Sequence, residues 1–157
     1  MRLVFVALFV AESLHAADPC PWLNDATASG YLATRVTATF TPAEKNKDDG
    51  NCSFSSKQES GGPALRIVVS TMADPKKEFA AFAARCGSNG TPLQAIGNEA
   101  LACRLQGKQD QIVEQVVGRV RDRAFTISLT MAEHPTKIPD ARTAAHDIAE
   151  MVAGNLF

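Results

Sequence analysis

The sequence predicts an α+β fold, an antiparallel β-sheet of about six strands with helices packed on it. Several short segments alternate apolar and polar residues, which is the β pattern, and other segments repeat apolar residues every three or four positions, which is the helical pattern. Turns rather than crossover helices join most of the strand segments, and this favours antiparallel pairing. A length of 157 residues suits one domain.

The first half of the chain predicts one short helix and three strands. Asn24 or Asp25 can cap a helix that ends near residue 33. Three β patterns follow it, at residues 34–40, 51–57 and 64–72. The third is apolar on both faces, which indicates that it is buried on both sides.

The second half predicts a helix, further strands and a final helix. Asp74 and Pro75 are a cap and a first helical residue, and Gly87 ends that helix. Further β patterns lie at residues 100–105, 111–120 and 123–131, and the last two form a hairpin. The final helix starts at Pro139 or Asp140 and ends near residue 155.

The composition is that of a globular protein with balanced charge. Hydrophobic residues make up 45% and charged residues 21%, and 16 basic residues meet 17 acidic ones for a net charge of -1. Such a mixture does not favour a nucleic-acid surface or an anionic-membrane surface, since both need a basic excess. No nucleic-acid partner is therefore expected.

Residues 1–17 predict a signal peptide, and residues 18–157 the mature domain. Arg2 precedes nine apolar residues, and small residues end the segment at Ala16 and Ala17. The apolar run is too short to span a bilayer, so no stable membrane span is expected after cleavage. The alternative is that this run is a buried element of the fold. We expect a soluble periplasmic or extracellular protein, without a lipid anchor because Pro19 precedes Cys20.

Four cysteines remain in the mature chain, and an even count in an exported protein indicates disulfides. Three pairings are possible. We favour Cys20 with Cys52 and Cys86 with Cys103, because each pair brackets one local unit. A zinc site is the competing interpretation, but the spacings are long and irregular and no Cys-x-x-Cys motif is present.

Three short motifs occur in an order that resembles a known family. They are Pro19-Cys20-Pro21-Trp22-Leu23, Asn51-Cys52-Ser53-Phe54 and Ile96-Gly97-Asn98-Glu99-Ala100, followed by a hairpin and an alanine-rich helix. This order is similar to a domain-of-unknown-function family of small exported proteins and lipoproteins with a PsbP-like fold. The resemblance implies that fold and a Cys20–Cys52 bridge, and it implies no catalytic residues. The missing lipobox and the second cysteine pair depart from the family pattern.

The candidate binding residues are Glu99, Arg119, Arg121 and Arg123. Glu99 follows Gly97 and Asn98, so its carboxylate either lies at a pocket rim or is a solvated turn residue. The three arginines occupy alternate positions. They form a cationic strip for a carboxylate or phosphate if one strand continues through them, and a soluble hairpin tip if a turn interrupts them.

The histidines offer an alternative, enzymatic interpretation. His134 precedes a proline in a probable loop, whereas His146 shares a helix face with Glu150, a spacing that suits either a metal pair or a solvated stripe. No Gly-x-Ser-x-Gly, His-Glu-x-x-His or phosphate loop is present, and we expect no metal and no cofactor.

These observations predict a monomeric, exported, non-catalytic binding or interaction module for a protein, a peptide or a small ligand. The sheet face or a helix–sheet groove would carry the contact. Two alternatives remain: a secreted enzyme whose cleft uses Glu99 and a histidine, and a purely structural cell-envelope protein. A cleft that brings Glu99 and a histidine together would favour the enzyme.

Overall fold

The computed structural model describes residues 19–56, 62–108, 111–132 and 140–157. The predicted signal peptide lies outside these residues. The helices are α1 (Asp25–Leu32), α2 (Pro75–Ala83) and α3 (Ala141–Asn155). The strands are β1 (Thr37–Pro42), β2 (Gly50–Ser55), β3 (Ala64–Thr71), β4 (Thr91–Leu93), β5 (Glu99–Gln106), β6 (Gln111–Val120) and β7 (Arg123–Ala132). A 3₁₀ segment, Ala84–Asn89, follows α2.

The strands form one antiparallel sheet in the order β1-β2-β3-β7-β6-β5-β4. The predicted α+β class is thus correct. The sheet has seven strands where about six were expected. The additional strand, β4, pairs Thr91–Leu93 with β5 at one edge of the sheet. Three residues that include Pro92 show no alternation, so only the pairing with β5 identifies them as a strand.

The front face of the sheet, defined as the face that carries Leu65, Ile67 and Leu129, is covered by α1 and α3. These residues pack with Leu32 and Ile148 in one core. The apolar stripe of α3 follows the helical period, with small alanines that let the helix approach the sheet closely. Gly118 is needed on this face, since any side chain there would collide with the ring of Phe125.

The back face carries the second, smaller core, in which Phe79 and Cys86 pack with Val117 and Ala124. Helix α2 covers this half. In the described part of the chain, the other half of the back face has no helix over it and presents polar side chains, such as those of Thr39 and Arg66. The sheet is therefore buried on one face and half covered on the other.

Two disulfides hold peripheral segments to the sheet. Cys20 is bonded to Cys52 on β2, and Cys86 in the 3₁₀ segment is bonded to Cys103 on β5. This is the sequential pairing that the sequence favoured. All four cysteines are buried, so neither bridge is open to solvent in the folded chain.

The outer edge of β1 is covered by side chains of α1. Asp25 Oδ1 accepts a hydrogen bond from Ala38 N at 2.9 Å, and Ser29 Oγ accepts one from Val36 N at 3.1 Å. These bonds use backbone donors that an edge strand would otherwise offer to another chain. Among the described residues, no helix has the length and apolar character needed to cross a membrane.

Candidate functional site

The four candidate binding residues lie at the end of the sheet where β6 turns into β7. Glu99 begins β5 and is the cross-strand partner of Arg119 on β6. Glu99 Oε1 accepts a hydrogen bond from Arg119 Nε at 2.7 Å, in an ion pair whose glutamate side chain is 47% exposed. Glu99 is thus a paired carboxylate at the surface of the back face, not an isolated one.

The turn before Glu99 is attached to the β6–β7 hairpin. Gly97 has φ of 59°, and a Cβ there would collide with the backbone oxygen of Arg119. Asn98 N donates to that oxygen at 2.8 Å, while Asn98 Oδ1 accepts from Arg121 N at 2.5 Å. Gly97 and Asn98 therefore have a structural role that positions Glu99 against the sheet.

The three arginines do not form a strip, because the turn at Arg121 and Asp122 separates them. Arg119 points to the back face and pairs with Glu99. Arg121 has φ of 55°, and its guanidinium lies 5.9 Å from the ring centroid of Phe157. Arg123 extends on the front face, where it contacts the backbone oxygen of Asp48 and the carboxylate of Asp49.

His146 belongs to a separate polar cluster on α3. Its Nδ1 lies 3.7 Å from Asp147 Oδ1, and the ligand atoms of His146, Asp147 and Glu150 are within 4.8 Å of one another. These residues have the composition of a metal site, but such exposed groups are common without an ion. Tyr31 donates to Asp147 Oδ2 at 3.5 Å, and burial together with the charge of Asp147 raises the pKa of its phenol.

The enzymatic alternative required Glu99 and a histidine in one cleft. Glu99 lies on the back face of the sheet, whereas His146 lies on α3, which covers the front face. The sheet therefore separates these two residues. His134 lies outside the described residues.

A groove lies between α2 and the β4–β5 edge of the sheet, with a volume of about 480 Å³. Phe79, Ala83 and Leu101 contribute apolar surface, and the charged residues Lys76 and Glu99 also line it. We call this space the α2 groove. Here a candidate residue from the sequence, Glu99, meets a concave apolar surface.

Sequence reasoning missed Lys76 and the alanines of α2 as groove residues. Phe79, also on α2, is a core residue, since only 5% of it is exposed. The small side chains of Ala80, Ala83 and their neighbours were the available signal, because a helix that presents alanines cannot fill the space beside it.

Two further concave surfaces flank Trp22. One, of about 430 Å³, lies against the end of α3 near Met151, and the other, of about 440 Å³, extends towards Phe40 and Arg123. Trp22 itself is buried, and its ring meets Phe40 edge-on at 5.5 Å between centroids. The aromatic pair therefore forms a wall rather than an exposed platform.

Comparisons with protein-family models, with curated proteins and with solved structures found no match to the chain.

Proposed function

We propose that the chain is an exported, non-catalytic binding module whose α2 groove holds an apolar segment of a peptide or protein partner. The observation that carries the proposal is the groove itself, an apolar concave surface with Lys76 and Glu99 among its lining residues. Apolar concave surfaces with a few polar groups are typical of binding sites. A PsbP-like relationship remains part of this proposal.

A cap defines the start of α2, and a disulfide ties the segment after it to the sheet. At the first end, Asp74 Oδ1 accepts from Lys77 N at 3.3 Å, and Glu78 Oε1 accepts from Asp74 N at 2.8 Å. At the other end, the Cys86–Cys103 disulfide ties the following segment to β5. The alanines of α2 are short, so they leave the space beside the helix unfilled.

The charges of the groove favour recognition over catalysis. Arg119 holds Glu99 through Nε at 2.7 Å, so the carboxylate has a fixed cationic partner. Lys76 adds an exposed cation from α2. An apolar surface lined by charges of both signs suits an extended peptide with apolar side chains flanked by charged ones. Each charged side chain of the peptide then lies near a groove residue of opposite charge.

The edge position of β4 favours a peptide over a small ligand. β4 pairs with β5 on one side only, so its other edge adjoins no strand in the described sheet. An extended peptide can run along such an edge while its side chains occupy the neighbouring groove. A small apolar ligand would use the groove without the edge.

Selection from a phage-displayed random peptide library tests the groove. The native chain should enrich peptides that carry an apolar pair next to a charge. Ala80→Arg, which places a long cation in the groove, should weaken binding of the selected peptides by about tenfold or more. Thr39→Arg, an exposed change of the same kind on β1, should leave it unchanged.

The proposal fails if Ala80→Arg enriches the same peptides as the native chain with equal affinity. If no peptide is enriched but an apolar small molecule binds the native chain and not Ala80→Arg, the small-ligand form replaces the peptide form. If neither class binds, the structural envelope role is favoured.

Export is part of the proposal, and the two disulfides support it, because such bonds persist in oxidising compartments such as the periplasm and the extracellular space.

A further inference from the structure

A second cavity, of about 440 Å³, lies on the side of Trp22 that faces Arg123. Its apolar wall comes from Pro21, Trp22 and Phe40, and its polar wall from Lys47, Asp48 and Arg123. We call this space the Trp22 cavity. It shares no residue with the α2 groove, so the two sites are tested independently.

Arg123 is held in the polar wall, and some of its guanidinium N–H groups have no acceptor among the described residues. Both of its hydrogen bonds to described residues come from Nη2, which donates to the backbone oxygen of Asp48 and to Asp49 Oδ1 at 3.4 Å. Its Nε is buried and has no acceptor among the described residues. Neither hydrogen bond uses Nη1, so the guanidinium keeps donors that a molecule in the cavity can use.

The carboxylate of Asp49 is held by β3 as well as by Arg123. Oδ2 accepts from Thr71 N at 2.8 Å, and Oδ1 accepts from Thr71 Oγ1 at 2.9 Å. Asp49 therefore attaches its loop to β3 and fixes the position of Arg123. It does not line the cavity, which leaves the remaining guanidinium donors to whatever occupies the space.

The charges around the cavity select the class of ligand. Lys47 and Arg123 are balanced by Asp48 and Asp49, and the carboxylate residue Asp48 is itself part of the wall. The wall carries two cations, Lys47 and Arg123, and one carboxylate, Asp48, so its net positive charge repels a cation, while Asp48 disfavours a doubly charged phosphate more than a singly charged group. A singly charged acceptor attached to an apolar body fits both walls.

We propose that the Trp22 cavity binds a small monocarboxylate with an apolar body. The carboxylate accepts hydrogen bonds from Arg123 and Lys47, and the apolar body packs on Pro21, Trp22 and Phe40. Asn155 Nδ2, which donates to Trp22 O at 3.0 Å, keeps the aromatic wall in place.

Trp22 is the only tryptophan of the chain, so its fluorescence reports on the cavity directly. Hexanoate should change this fluorescence saturably. The alcohol 1-hexanol has the same apolar chain without the charge, and it should bind at least about tenfold more weakly. Hexylammonium should not bind measurably. Equal affinity for hexanoate and 1-hexanol, or tighter binding of hexylammonium, would overturn the proposal.

The matched variants are Arg123→Gln and Arg66→Gln. Removal of Arg123 should weaken hexanoate binding about tenfold and leave 1-hexanol binding unchanged, since only the carboxylate contact is lost. Arg66→Gln, on the back face, should bind hexanoate as the native chain does. Unchanged hexanoate affinity in folded Arg123→Gln contradicts the assignment.

Because Arg123 also holds the Asp48–Asp49 loop, Arg123→Gln could lose its fold. Two readouts avoid that variant. Lys47→Gln changes an exposed residue and should weaken hexanoate binding about threefold. In the native chain, the nuclear magnetic resonance signal of the Arg123 Nε–H group should shift with hexanoate and not with 1-hexanol. The absence of both effects would overturn the proposal.

Discussion

Tyr31 lies between α1 and α3, where its hydroxyl donates to Asp147 Oδ2 at 3.5 Å. Burial, the negative charge of Asp147 and its hydrogen bond all raise the pKa of the phenol above its ordinary value of 10.0, and Glu150 adds to this. Each cause acts by disfavouring the tyrosinate.

Tyr31 is the only tyrosine, so ultraviolet absorbance follows its ionisation without overlap. We expect the folded chain to ionise at higher pH than the unfolded chain, and Asp147→Asn to lower the midpoint without restoring it fully. Between the two pKa values the unfolded chain releases its proton first, so stability falls as pH rises. Glu44→Gln, an exposed change, should leave the midpoint in place. Equal midpoints for folded and unfolded chains would contradict the expectation.

The turn between Arg119 and Arg123 decides which face of the sheet each of these side chains reaches. Their spacing in sequence allowed one shared face, but two strands of a hairpin run through them instead. Arg119 is opposite Ala124 on the back face, whereas Arg123 is opposite Val120 and extends on the front face. One contributes to the α2 groove through Glu99, and the other lines the Trp22 cavity.

The two disulfides act on different elements. The Cys20–Cys52 bridge holds the segment that carries Trp22 against β2, and the Cys86–Cys103 bridge holds the segment after α2 against β5. Each therefore supports one concave surface: the first supports the Trp22 cavity, and the second supports the α2 groove.

Replacing both cysteines of one pair by serine tests this division. The loops span 32 and 17 residues, so loss of either bridge should lower the free energy of unfolding by about 3 to 4 kcal/mol. Urea unfolding measures this loss. The Cys86–Cys103 variant should lose peptide binding and keep the response of Trp22 to hexanoate. Peptide mapping without reduction that links Cys20 to Cys86 would contradict the pairing.

Among the elements, the predicted helices and the β6–β7 hairpin agree with the structure to within a few residues. Helical and alternating patterns arise because one face of each element buries its side chains, so they can be recognised in the sequence. β4 was not predicted because three residues carry too little pattern. The second helix ends at Ala83, before the expected end at Gly87, and continues as a 3₁₀ segment in which Gly87 has φ of 54°.

At the scale of the whole molecule, the sheet separates the two concave surfaces that we propose as binding sites. The α2 groove lies on the half-covered back face, and the Trp22 cavity lies at the margin of the front face. A chain with two such surfaces can hold the proposed peptide partner and the proposed small acid independently, because no residue lines both.

Export can be tested on the whole chain by N-terminal sequencing of material from outside the cytoplasm. We expect a first residue of Ala17 or Asp18. Leu8→Arg places a charge in the apolar run and should block export, while Leu8→Val should not. Cytosolic protein that retains Met1 in the native chain would contradict the prediction.

The sequence by itself determined the α+β class and the order of most elements, because each depends on residues close together in the chain, and it favoured the sequential cysteine pairing among three. Only the tertiary structure decided which face of the sheet each site residue reaches and which segments meet. Glu99 could be identified as a candidate, but its partner Arg119 and the groove beside it depend on the register of β5 with β6 and on the position of α2. Periodicity records that a side chain is buried or exposed, not what lies opposite it.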